Sequence, residues 1–392
     1  MRRARLEGLL DWLGLERNVL VVFVTILILG MGEELWIRFI PKYLEVLGAG
    51  AAVIAAYGTL TDLLDAVYQY PGGWLADHLG RQKSLILFTG LAIVGYGLYL
   101  LAPSWPWILA GTFFVMAWSS LTLPAVFAVI GDHLPAHRRS MGFGIQSFLK
   151  RVPIVLAPPV GGWLIARLGF PHGMQVGLAI TIGLALAAIA LIRRHYVERM
   201  PATPDLSGFI SILKGMDTHL KRLLVADCLA RFADGIVDVF VVLYVINVLR
   251  TSPAHFGWLV SLQMMVAILS YLPSAKLAER FNRKPFVLLT FSFFALFPLA
   301  LVSAHSAMAL AIAFAIAGLR EIGEPARKSL IVDLAREATR ARSVGVYYLI
   351  RGLVVFPASL VGGWLWTINH QAPFHVAFAL GVTGFLAYAL LG

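Results

Sequence analysis

Ionisable side chains recur at helical spacing inside stretches of this sequence that are otherwise apolar. Asp227, Arg231, Asp234 and Asp238 step by four, three and four residues, which puts all four on one face of an α-helix. Asp62 and Asp65 are three apart, Glu34 and Arg38 four, and Arg320, Glu324 and Arg327 follow at four and three. Glu33, Lys150, Arg151, Glu321, Lys328 and Arg351 lie in similar surroundings. A charge at the centre of a bilayer helix costs roughly 2.5–3.5 kcal/mol on insertion scales, so such faces look into protein or a water-filled cavity. Two chemistries are open to them. Each charge can sit in a structural ion pair, such as Glu34 with Arg38 or Asp227 with Arg231. A carboxylate exposed in turn to two compartments, alternately paired and unpaired, can instead carry a proton, because burial and neighbouring charge set its protonation. Asp234 and Glu33, with Glu34, Asp62, Asp65 and Asp238, are the candidates for proton coupling. Arg38, Lys150, Arg151, Arg320, Glu321, Glu324 and Arg351 are the candidates for lining a substrate cavity. Asp227 and Lys328, nearer the membrane surface, read as ordinary ion pairs. The spans hold eight basic and ten acidic side chains, a balance that favours neither a cationic nor an anionic substrate.

Elements that carry such faces must be membrane helices. Of 392 residues 59% are hydrophobic and 14% charged, whereas soluble domains carry roughly 45–50% apolar and about 25% charged residues. A span takes about 20 mostly apolar residues. Twelve such runs lie near 18–41, 50–71, 84–103, 105–131, 140–166, 173–193, 222–249, 255–277, 285–304, 306–334, 342–368 and 373–392. The first is too long for a signal h-region and is expected to be a retained span. Pro124 and Pro325 are expected to kink spans four and ten. The net charge of +11 would suggest nucleic acid in a soluble protein. Here it sorts by loop: 21 Lys and Arg residues fall in one set and only Lys42, Arg167 and Arg250 in the other. Basic residues mark cytoplasmic loops, so both termini and the long segment 194–221 are expected inside the cell.

That segment divides two similar halves, expected as an N-terminal six-helix bundle (1–193), a linker (194–221) and a C-terminal six-helix bundle (222–392). A shift of 201 residues pairs Gly161-Gly162-Trp163-Leu164 with Gly362-Gly363-Trp364-Leu365, and likewise Glu33 with Asp234, Lys150 with Arg351, Pro124 with Pro325 and Asp132 with Asp333. A shift of 202 pairs Leu75-Ala76-Asp77 with Leu277-Ala278-Glu279. Parallel repeats of this kind build transporters whose substrate site lies near the midplane between the halves.

Residues 73–83, Gly73-Trp74-Leu75-Ala76-Asp77-His78-Leu79-Gly80-Arg81-Gln82-Lys83, resemble the G-x-x-x-D-(R/K)-x-G-R-(R/K)-(R/K) signature of the major facilitator superfamily. His78 and Gln82 depart from its basic positions. A weaker copy, Leu277 to Lys284 with Glu279 and Arg283, stands where that superfamily has its repeat. The resemblance implies an all-α membrane protein of twelve transmembrane helices in two parallel-repeat bundles, working by alternating access. It also implies a cytoplasmic latch built from Gly73, Asp77, Gly80, Arg81, Lys83, Asp132, Glu279 and Arg283. Gly144, Pro153 and Ala157-Pro158-Pro159-Val160-Gly161-Gly162 resemble in part the G-P-x-x-G-G turn of exporters. Span four lacks the intramembrane arginine common in proton-coupled exporters.

No G-x-S-x-G, H-E-x-x-H or Walker-type sequence is present, so neither catalytic residues nor ATP-driven transport is expected. Cys228 is the single cysteine; neither a disulfide nor a transition-metal site is expected, and no cofactor. The sequence therefore reads as a secondary active transporter of the cytoplasmic membrane, an antiporter exporting a small amphiphilic compound against protons. Its expected partners are that small molecule, protons and the bilayer, without nucleic acid, and it is expected to act as a monomer. The alternatives are an importer or exchanger of an organic anion held by Arg351, Lys150 or Arg320, and a lipid or lysolipid flippase.

Overall fold

A computed structural model of the chain describes residues 17–122, 125–126, 129, 136–197, 216–280, 283–334 and 340–391. Helix is the regular structure throughout these residues, as a bilayer demands of backbone that has no water to bond with. Span one is α1 (Arg17–Glu33), a 3-10 turn (Ile37–Phe39) and α2 (Ile40–Val46). Spans two and three are α3 (Ala51–Leu79) and α4 (Arg81–Leu100). Span four is α5 (Trp105–Met116) running into a π-helical turn (Ala117–Leu121), and spans five and six are α6 (Ala136–Leu168) and α7 (Phe170–His195). Span seven is α8 (Thr218–Leu243) with a second π-helical turn (Tyr244–Val248), followed by α9 (Pro253–Arg280) and α10 (Arg283–Val302). Span ten breaks into α11 (Ala307–Leu319) and α12 (Glu324–Asp333), span eleven into α13 (Arg340–Val355) and α14 (Ala358–Ile368), and α15 (Ala372–Leu391) is span twelve.

Among the described residues nine stretches are long and apolar enough to cross a bilayer. The remaining three expected spans fall short for identifiable reasons. Helix α8 has the length but carries the four charges Asp227, Arg231, Asp234 and Asp238. The apolar stretches Trp105–Leu121 and Ala307–Leu319 are short. Pro325, expected to kink span ten, stands in the first turn of α12, where its missing N–H breaks no intrahelical bond; the span is therefore interrupted there. Pro124 lies outside the described residues.

The chain forms two compact units, one of residues 1–38 and 67–205, the other of 39–66 and 206–392. Within each, the same pairs of spans touch. In the first, α1 packs on α6 and α7, and α4 on α5 and α7; in the second, α8 packs on α14 and α15, and α10 on α11 and α15. The duplicated Gly-Gly-Trp-Leu motif explains part of this. A Cβ on Gly161 would land on the backbone carbonyl of Leu35, and one on Gly362 on that of Ile236. Both members of the two contacts are related by the same 201-residue shift. Each glycine thus lets span five, or its repeat, approach span one, or its repeat, backbone to backbone. In the second unit, segment 39–66 is seated by Phe39, whose ring meets Phe256 edge-on at 5.5 Å.

Candidate functional site

The charged face of α8 is where the structure gathers ionic side chains. Asp227 and Arg327 are 0% and 1% exposed, and Arg327 donates to Asp227 Oδ1 at close range. The same guanidinium, from the second turn of α12, clasps Glu324 Oε2 through Nε at 3.1 Å and through Nη2. Asp227 Oδ2 accepts from the Tyr347 hydroxyl at 3.0 Å. Around this dry centre stand three further cations at longer range. Arg351 Nη1 is 3.5 Å from Asp227 Oδ2. Arg231 Nη2 is 3.4 Å from Glu324 Oε2 and its Nε is 4.0 Å from Asp227 Oδ1. Lys328 Nζ is 3.4 Å from Glu324 Oε1. Two carboxylates therefore face four cations. Asp227, expected as a superficial pair with Arg231, is buried and takes Arg327 as its close partner. Lys328 is about half exposed.

Further along α8, Asp234 is paired with Arg320, which sits in the turn between α11 and α12. Arg320 Nε donates to the Ala317 carbonyl at 2.9 Å, and its guanidinium lies 4.8 Å from the Phe297 ring centroid and 5.3 Å from that of Phe294. Arg231 covers the same Phe294 ring at 4.7 Å, and Arg351 covers Tyr348 at 4.6 Å. Asp62, on α3 but within the second unit, lies in the electrostatic field of Asp65, Asp234 and Asp238. Among the described residues it has neither a hydrogen bond nor an ion pair. Glu321 is half-buried in the turn before α12.

In the first unit, Glu33 ends α1 and accepts a 2.7 Å hydrogen bond from the Tyr96 hydroxyl of α4. Among the described residues no cation stands within salt-bridge distance of it. Trp36 packs edge-on against Tyr96 and Tyr99 and donates to Thr181 of α7 at 2.9 Å. Glu34 and Arg38 form the local pair that their spacing suggested, at 3.1 Å. Lys150 and Arg151 lie on α6 of this unit, and Arg351, the repeat partner of Lys150, lies on α13 of the second.

At the expected latch, α3 ends at Leu79 and α4 starts at Arg81, with Gly80 between them at φ +88, a conformation that glycine adopts without strain. Arg81 is buried and Lys83 exposed. Ser84 Oγ donates to the Leu75 carbonyl across the turn at 3.1 Å. Gln82, which departs from the basic signature, donates to the carbonyls of Ile192 and Tyr196 at 3.1 and 3.2 Å, capping the end of α7. Gly73 and Asp77 lie within α3, Glu279 within α9, and Arg283 opens α10; Asp132 lies outside the described residues. On the expected outer side, Lys42, Glu45 and Asn247 are mutually hydrogen-bonded, at the rim of a cavity of about 730 Å³ that Arg250, Trp366 and His370 also line.

Sequence reasoning placed Glu324, Arg320 and Arg351 at a cavity but left Asp227, Arg231 and Arg327 out of it. Their signal was present, since spacing had already put Arg327 on a face with Arg320 and Glu324. Tyr96 and Tyr347 gave none, because a tyrosine in an apolar run reads as packing until its hydroxyl is seen to reach a carboxylate.

A family model described as Major Facilitator Superfamily matches residues 17–221 and 223–392. An MFS-type transporter of Methanocaldococcus jannaschii is 21% identical over 384 residues, 94% of this chain and 93% of that one. The multidrug resistance protein MdtH of Edwardsiella ictaluri is 25% identical over 369 residues, 89% and 87% of the two chains. Among solved structures the nucleoside transporter NupG superposes with a TM-score of 0.77 at 13% identity, over 95% of this chain and 99% of that one. At that identity the likeness speaks for the fold.

Proposed function

The chain belongs to the Major Facilitator Superfamily, and on that premise we propose that this multi-pass transporter is a proton-coupled antiporter exporting a small amphiphilic compound. The observation that carries the coupling is the state of two carboxylates. Glu33 is held by a phenol, Tyr96, with Lys150 acting on it only beyond salt-bridge distance, and Asp62 lies in the field of other aspartates; neither is in a salt bridge among the described residues. A proton can load on either without first breaking a salt bridge. Asp234, by contrast, is engaged by Arg320 and has to leave that pair before it can exchange a proton. Alternating access supplies the two exposures that such exchange needs.

Export is supported by the partial G-P-x-x-G-G turn in α6 and by the likeness to a multidrug resistance protein. The excess of basic residues in one set of loops supports a cytoplasmic location for both termini and for segment 194–221, in the cytoplasmic membrane. The turn at Gly80 and Arg81 would then be the cytoplasmic latch, and the protein would work as a monomer.

Proteoliposomes with an imposed pH gradient test this reading. Substrate should accumulate on the acidic side, and Glu33→Gln or Asp62→Asn should abolish gradient-driven accumulation while leaving substrate exchange at equal pH within about threefold of wild type. Accumulation that ignores the gradient overturns the coupling; unchanged coupling in both variants removes these two residues from it.

A further inference from the structure

Four cations around two carboxylates leave a formal surplus of positive charge in the second unit, and the surplus is not spread evenly. Arg327 is fully committed: it is buried and clasps both carboxylates at close range. Arg231 and Arg351 are not. Each donates one long hydrogen bond, Arg231 Nη2 to Glu324 Oε2 at 3.4 Å and Arg351 Nη1 to Asp227 Oδ2 at 3.5 Å, against roughly 2.7–2.9 Å for a tight charge-assisted one. The Arg231 Nε is buried without any hydrogen-bond acceptor. Both side chains are about one quarter exposed. They approach opposite oxygens of the same Asp227 carboxylate, and each lies over an aromatic ring, Phe294 and Tyr348 respectively. A guanidinium in this setting offers unused donors in a fork whose geometry matches a carboxylate or phosphate; Phe294 is buried beneath Arg231, whereas Tyr348 is only half-buried.

We propose that Arg231 and Arg351 bind the anionic group of an amphiphilic monoanion, with the partly exposed Tyr348 against its apolar part, while the Arg327 pairs with Asp227 and Glu324 hold the two arginines in place. The assignment rests on the transporter reading above and narrows its substrate to compounds bearing one carboxylate or equivalent anion. The near balance of acids and bases over the spans as a whole conceals this, because the imbalance is local. The anion has two possible origins, a soluble aromatic acid or an acyl chain from lipid.

The test is equilibrium binding to the purified full chain in neutral-lipid nanodiscs at a single pH, so that proton coupling plays no part. The probes are 2-naphthoate against 2-naphthalenemethanol and 2-naphthylmethylammonium, and laurate against dodecanol. At least one carboxylate should bind tenfold or more tightly than its alcohol, with the naphthyl ammonium weakest of its series. Which pair shows the preference identifies the origin of the anion. Arg231→Gln and Arg351→Gln should each cut the preference at least fivefold while leaving the alcohol within twofold, and Arg167→Gln, at the end of α6 in the first unit, should keep it. Arg231→Lys and Arg351→Lys, which keep the charge, cover the case in which a glutamine variant does not fold, and should lose part of the preference. Carboxylates that bind no better than their alcohols, including no measurable binding by any probe, overturn the proposal. So does a preference that survives all four site variants. A preserved preference in a protein that ignores the pH gradient would remove the coupling reading alone.

Discussion

Asp227 and Arg327 are both essentially inaccessible to solvent, and their removal from water is tolerable because each charge finds opposite charge and hydrogen bonds at once. Truncating one partner of such a pair leaves the other charge buried and alone, which costs about 3–5 kcal/mol, whereas replacing both by apolar residues is often near neutral. Asp227→Asn and Arg327→Gln should therefore each lower thermal stability sharply in detergent, and Asp227→Leu combined with Arg327→Met should recover most of the loss. Additive losses in the double variant would show that the two residues do not act as a pair. The Tyr347 hydroxyl, left without its carboxylate, and Glu324, left to Arg231 and Lys328 at 3.4 Å, keep recovery from being complete in the double variant. At this scale the sequence disclosed which residues share a helix face but not which of them meet. Spacing along α8 put Asp227 beside Arg231; the closer partner, Arg327, lies 100 residues away on a helix whose position follows from the break at Gly323 and Pro325.

Among the elements, the two repeat glycines set how near the helices come. Gly161 and Gly362 stand where any Cβ would meet the backbone of the facing span, and forcing extra volume into such a contact costs about 1–3 kcal/mol. Gly161→Ala and Gly362→Ala should each lower the melting temperature, while Gly183→Ala, with no atom within 4 Å of its new Cβ, should not. Equal tolerance of all three would mean that the close approach is not maintained in the membrane. The motif's recurrence was legible in the sequence, and so were the twelve spans, because hydrophobic length and duplication are one-dimensional signals. The interruptions were not. The π-helical turns at Ala117–Leu121 and Tyr244–Val248 contain neither proline nor glycine, so no local residue announces them. Pro325 was visible, but whether a proline kinks a helix or starts a new one depends on the turn before it.

For the whole molecule, a transporter needs its charged faces wetted from each side in turn. Helix α8 offers a place to look. Asp238 is exposed on it, while Ala226, on its packed side, is fully buried. Cys228, the one native thiol, is itself buried and is readily removed as Cys228→Ser, giving a thiol-free background. In that background the deciding measurement is the labelling of Asp238→Cys by a membrane-impermeant maleimide in right-side-out and inside-out vesicles, with Ala226→Cys as the control. Alternating access predicts that position 238 reacts from both sides and position 226 from neither. Reaction at position 238 from one side only, or from none, would contradict a path that opens to the two compartments by turns.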